Sequence, residues 1–223
     1  KHSGPVVKSG YLYHQKFQSN YNINLITQSS LEAQIAAISD DIAYNCHDID
    51  DGIRANLFTL DDLSEIDLIK IHLDKIKSDY PGIDRSRLTH ELKRNLINSF
   101  IIDIVEESSK TINFNKIKNH HDVVKYKSTI ISLSDYMTEQ ISNIRRFLSA
   151  NMYQSKLILE NSNYTEEVIK GLFFIYKENL NKLPLKLNSS KDYPKNINRI
   201  ICDFISGMTD NYADEQYKEL LKK

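Results

Sequence analysis

The run Ser30-Leu-Glu-Ala-Gln-Ile-Ala-Ala-Ile-Ser-Asp-Asp-Ile-Ala-Tyr-Asn-Cys-His-Asp-Ile-Asp-Asp-Gly52 decides the reading of this chain. It has no proline, and no glycine before its last position. Leu31, Ile35, Ile38, Ile42 and Ala43 recur at helical spacing, so a strong helix is expected over residues 31–47. Ser29-Ser30-Leu31-Glu32 fits a capping box, a Ser hydroxyl for the orphan amides with Glu three residues on. A second, short helix is expected over 49–57.

Outward from this run the helical pattern continues. Thr59, Asp61 and Asp62 open a helix reaching about residue 78, and Asp79-Tyr80-Pro81-Gly82 breaks it. A long helix is expected over 85–110, with Leu88, Leu92, Leu96, Ile97, Ile101, Ile104 and Val105 on its buried face. Residues 113–119 read as loop. Further helices are expected over 134–147, 149–159 and 165–180, then a core helix over 197–212 and a short one over 213–223. Gly207 inside the core helix would mark close helix packing, since Gly there costs about 1 kcal/mol against Ala. Asp203 and Asp210 around it read as structural, with Arg199 or a basic helix elsewhere as a partner. Residues 1–24 read as loop, and 183–194 as turn-rich.

The whole chain holds only 6 Gly and 4 Pro in 223 residues, too few turn residues for an all-β sandwich or barrel. The expectation is one all-α domain over 1–223. Lys plus Arg is 29 against 30 Asp plus Glu, so no global basic field exists to hold nucleic acid. No apolar run approaches the roughly 20 residues of a membrane span. Two cysteines far apart, Cys46 and Cys202, form no zinc pattern. They read as small buried side chains in a reduced, cytoplasmic protein. Lys1-His2-Ser3-Gly4-Pro5 is not a signal peptide and has no initiator Met, so the chain reads as part of something longer.

Asp40, Tyr44 and Asp48 fall at i, i+4 and i+8 and share one helix face. Such a row could serve a nucleotide: oxygen for a hard or borderline metal, a ring to pack on a sugar, an acceptor for a sugar hydroxyl. A solvated acidic face is the plainer alternative. Asp40, Asp41, Asp48, Asp50 and Asp51 crowd together with only Arg54 nearby. Like charges at helical spacing cost about 0.2–0.5 kcal/mol per pair, which a cation or basic partner would relieve. Arg87, His90 and Arg94 form a second row at the start of the long helix, either phosphate-facing or simply solvated.

The run from Glu32 to Gly52 resembles the bacterial dGTP triphosphohydrolase-like proteins, which are HD-domain dNTP triphosphohydrolases. Asp203-Phe-Ile-Ser-Gly-Met-Thr-Asp-Asn-Tyr-Ala213 is similar to a second element of that family, and the opening Lys1-His2-Ser3-Gly4-Pro5 to a third. Weaker likenesses fall at Glu91 to Val105, Phe147-Leu148, Met152-Tyr153 and Leu183-Pro184. The resemblance implies the C-terminal part of a multi-helix HD-domain bundle, in which 1–58 completes the HD core and 59–223 forms a C-terminal helical region. It implies that Asp40 is the last of four metal ligands, that Tyr44 packs on the deoxyribose and that Asp48 faces the sugar hydroxyl. Arg87, His90 and Arg94 remain candidates for the triphosphate, and His2 would lie near the pocket.

The family's other metal ligands, a His and a His-Asp pair, should precede Lys1. His47-Asp48 and His121-Asp122 match the dipeptide by letters only; the second reads as a surface loop. The implied activity is metal-dependent hydrolysis of a dNTP, with a divalent cation such as Mg²⁺ or Mn²⁺, by a self-associating protein. The segment alone is expected to be inactive. The alternatives are a stand-alone helical module for partner binding or oligomerisation, and an HD phosphohydrolase acting on another nucleotide.

Overall fold

The computed structural model describes residue 5 and residues 19–21, 26–184 and 197–221. Most of the loop expected over 1–24, His2 and most of the turn-rich stretch expected over 183–194 lie outside these. Every element among the described residues is helical. They fall into two compact units, Lys1–Tyr153 and Gln154–Lys223.

The first unit is built on α1 (Leu31–Arg54). Ser30 caps it, its hydroxyl accepting from the Ala33 amide at 3.3 Å. The cap is therefore one residue later than the Ser29–Glu32 box suggests. The expected break near residue 48 does not occur. Ile42, Cys46, Ile49 and Ile53 continue one buried stripe through it, and nothing in the sequence interrupts the ladder. The stripe also begins differently. Ile35 is exposed and Gln34 is buried in its place. The Gln34 amide donates to the Ser29 carbonyl at 3.0 Å, and its carbonyl accepts from the Ile130 and Ile131 amides at 2.8 and 3.1 Å. A polar side chain thus takes the inward place because it satisfies loop amides that would otherwise be orphaned.

After α1, Phe58 packs over Gly52, where any Cβ would overlap its ring. Phe58 also meets Phe147 edge to face at 5.0 Å. A single turn, α2 (Leu60–Leu63), carries a Thr59/Asp62 capping box. α3 (Asp67–Asp79) follows a turn at Ser64. Its start has no cap of its own; Gln140 reaches across and accepts from the Leu68 amide at 3.2 Å.

α4 (Arg85–Phe114) is capped by Asp84. It buries Leu88, Leu92, Leu96 and Phe100, a strict i+4 row, against α1 and α3. Ile101 and Val105, expected inside, are exposed. At about 1.5 Å per residue, α4 runs far past the shorter α3 that covers its first half. α5 (His120–Lys125) is a short helix where loop was expected. α6 (Asp135–Leu148) turns Gln140, Ile141, Ile144 and Leu148 into the core and runs into a π-helical turn, Ser149–Tyr153.

The second unit holds α7 (Lys156–Glu178), a 3₁₀ turn (Leu180–Lys182), α8 (Ile197–Ser206) and α9 (Asp210–Leu221). α7 is continuous where two helices were expected. Its core is Val168, Leu172, Tyr176, Leu183, Ile200, Ile201 and Tyr217. The helix expected over 197–212 breaks at 207–209, because the Thr209 hydroxyl accepts from the Tyr212 amide at 3.3 Å and starts α9. Gly207 therefore ends a helix. The close packing is at Gly171, where a Cβ would overlap the Tyr217 ring. Between α7, α8 and α9 lies a groove of about 780 Å³ lined by Ile169, Phe173, Phe174, Ile205 and Met208, among others.

Candidate functional site

Asp40, Tyr44 and Asp48 climb one face of α1 from solvent toward the core. Asp40 is exposed, Tyr44 is 59% exposed and Asp48 only 9%. The buried end is held from outside the helix. The Tyr153 hydroxyl, at the end of the π-helical turn, donates to Oδ2 of Asp48. Burial pushes the Tyr153 phenol up, and the hydrogen bonds to Asp48 and Tyr44 push it further. The phenol therefore stays protonated as a donor across the physiological range.

Asp50 lies about 200° round α1 from Asp48 and does something else. Lys93 Nζ on α4 sits 2.6 Å from its Oδ2, and Arg54 Nε sits 3.1 Å from its Oδ1. Burial alone would raise the Asp50 carboxyl, but the hydrogen bonds and charges of Lys93 and Arg54 outweigh it and hold the group below its ordinary value. Arg145 on α6 donates to Asp41. The acid crowding, for which a cation or a basic partner was expected, is thus partly relieved by Lys93 and Arg145, basic residues distant in sequence. Asp40 takes no part in the ion pairs among the described residues.

The second row is less organised. Arg87 lies over the Tyr80 ring at 5.4 Å, Arg94 pairs with Glu91 at 2.9 Å and His90 is exposed. No hydrogen bond or ion pair among the described residues joins these three to Asp40, Tyr44 or Asp48. The basic residue of this helix that does reach α1 is Lys93.

Neither His-Asp dipeptide lies in a metal-holding cluster among the described residues. His47 is exposed while Asp48 is buried, so the pair does not converge. Asp122 completes a capping box with Asn119 at the start of α5, accepting from the Lys118 and Asn119 amides at 2.9 and 3.3 Å. The His121 pair therefore stands on a capped helix and not on a loop. Cys46 is fully buried and its thiol is pushed up to about 12 by desolvation, which removes it as a nucleophile. Cys202, expected buried, is exposed.

No group of three or more His, Cys, Asp or Glu that could hold a metal occurs among the described residues. Asp40 can furnish one oxygen to a divalent cation, and one carboxylate does not make a specific site. No helix among the described residues is long and apolar enough to cross a membrane. Sequence reasoning missed Tyr153 and the Asp50–Lys93 link. The only signal for Tyr153 was the weak Met152-Tyr153 likeness; for Lys93 there was its place one turn before Ile97 on a helix known to be partly buried.

Residues 131–219 match the phosphohydrolase-associated domain family. The whole chain is similar to deoxyguanosinetriphosphate triphosphohydrolase-like proteins. It is 34% identical to that of Rickettsia bellii over 222 residues, 32% to that of Rickettsia prowazekii over 224, and 32% to that of Bartonella quintana over 228. Each match covers 99% of this chain. The chain spans 57–58% of the length of these relatives. Along its whole length the chain is thus similar to the deoxyguanosinetriphosphate triphosphohydrolase-like proteins, and over residues 131–219 it carries the phosphohydrolase-associated domain.

Proposed function

We propose that this chain supplies the sugar-facing wall, and one metal ligand, of an enzyme that hydrolyses deoxynucleoside triphosphates to deoxynucleoside and tripolyphosphate. Residues 1–58 complete the HD core in this reading, and 59–223 form the C-terminal helical region. The observation that supports it best is the graded face of α1: an exposed Asp40, a half-open Tyr44 ring and a buried Asp48 fixed by Tyr153. A ligand laid along that face would meet a carboxylate for a cation near its phosphates, an aromatic face for its sugar ring and an acceptor for its free hydroxyl.

A divalent cation held by Asp40 and by ligands from the rest of the protein would supply charge neutralisation and an activated water. This chain's own residues bind and orient the sugar. Arg87, His90 and Arg94 stay candidates for the triphosphate, with Arg94 first having to leave Glu91.

The test is tripolyphosphate release from each dNTP by the full-length protein with Mn²⁺ or Mg²⁺, comparing wild type with Asp40→Ala. Loss of release on substitution supports the assignment. Release that survives it removes Asp40 from the site. No release from wild type with any dNTP favours another nucleotide or a non-catalytic module. One observation favours the last: Ile101, Ile102 and Val105 stand exposed within about 100° of one another on α4, a face suited to self-association or a partner.

A further inference from the structure

We propose that Tyr153 is a positioning residue for sugar recognition: it fixes the Asp48 carboxylate so that the other carboxylate oxygen accepts from the 3′-hydroxyl of a deoxynucleotide. This rests on the reading that Asp48 faces the sugar. Four observations carry it.

The Tyr153 hydroxyl donates to Asp48 Oδ2 from 105 residues away in sequence, so the contact is a product of the tertiary fold. Oδ1 has no protein donor among the described residues and is not a sealed, orphaned atom. No Lys or Arg among the described residues pairs with Asp48; Lys93 and Arg54 are engaged by Asp50, on another side of α1. A carboxylate steadied by a neutral phenol keeps its capacity to accept from a ligand hydroxyl, where a salt bridge would compete for it. Finally, Tyr153 closes the π-helical turn Ser149–Tyr153, while Met152 and Tyr153 pack on the core of the first unit. The extra backbone residue of a π turn changes which way the following side chain points, and such turns recur at functional sites.

The chemistry then selects the ligand class. A 2′-deoxynucleoside 5′-triphosphate has one free sugar hydroxyl, at the 3′ position. A 2′,3′-dideoxy analogue has none, and it would leave Oδ1 desolvated and unpaired.

Tyr153→Phe removes the donor and keeps the ring. In the full-length protein, KM and kcat are measured for the four dNTPs and their 2′,3′-dideoxy counterparts, and dissociation constants for the same pairs are measured by calorimetry. Binding gives the comparison even without turnover. Tyr153→Phe is expected to weaken the dNTP by about five- to tenfold, in KM and Kd, with kcat within about twofold. The dideoxy analogue should move by less than about twofold. Asp48→Asn should abolish the discrimination, and adding Tyr153→Phe to it should change nothing further.

Equal weakening of both ligands by Tyr153→Phe, or unchanged discrimination with only a lower Tm, overturns the proposal and leaves Tyr153 as packing. If instead Asp48→Asn leaves discrimination intact, the underlying reading of Asp48 fails, and the proposal with it. A wild type that binds both members of every pair equally has the same meaning.

Discussion

Lys93 Nζ on α4 lies 2.6 Å from Asp50 Oδ2 on α1, and the carboxyl it holds is almost wholly buried. This link joins the two helices on the side of α1 away from Asp48. It marks Asp50 as a structural member of the acidic run, distinct from Asp40 and Asp48, which are proposed to face the ligand.

Stability should depend on pH through this carboxyl. Its folded-state value lies below the ordinary one, so it stabilises the fold above the unfolded value of about 3.9 and that contribution is lost as pH falls through the lowered folded value. Asp50→Asn should lower stability at pH 7 by about 1–3 kcal/mol and flatten the acid limb of the Tm profile. Thermal melts from about pH 2 to pH 7 test this. An acid limb as steep in the variant as in wild type would remove Asp50 as its source.

Gln34→Leu keeps the size of a residue that apolar periodicity alone would leave outside. It orphans the Ile130 and Ile131 amides. A loss of about 2 kcal/mol or more is expected, since each buried donor left unpaired costs roughly 1–3 kcal/mol. Urea unfolding measures it; a gain in stability would mean the amides find water.

The helical class, the face of α1 and the i+4 row of α4 were legible because they depend on spacing within one helix. Gln34, Tyr153 and Lys93 were not. Their placement is decided by partners about 40 to 105 residues away, and no local period records such a partner. Helix ends were misplaced where a cap decided them, at Ser30, Asn119 and Thr209. The metal role proposed for Asp40 rests on resemblance, and one exposed carboxylate carries no geometric sign of it.

The two glycines that sequence and structure weigh differently give a paired test. Gly171→Ala places a methyl against the buried Tyr217 ring and its hydrogen bond to Glu167, and should destabilise the second unit by about 1–3 kcal/mol. Gly207→Ala meets only carbonyl oxygens at 3.6 Å and should fall within about 0.5 kcal/mol of wild type. Thermal unfolding of both variants measures the contrast, and the reverse order would contradict the assigned packing.

The cysteines should react unequally. Cys202 is exposed, while Cys46 is buried with a thiol raised to about 12. A thiol reagent at pH 8 should label Cys202 in the native protein and Cys46 only after denaturation, as read by peptide mass spectrometry. Rapid native labelling of Cys46 would show that the α1 core opens.

The central claim is the orientation of a deoxynucleotide along α1. Its most direct measurement is a structure of the full-length protein with Mn²⁺ and a non-hydrolysable α,β-imido dNTP. The expected result has Asp40 ligating the metal, the Tyr44 ring against the deoxyribose, and the 3′-oxygen within hydrogen-bond distance of Asp48 while Tyr153 still holds the other carboxylate oxygen. A nucleotide bound away from this face, with Asp40 left in solvent and Asp48 meeting only Tyr153, would contradict it.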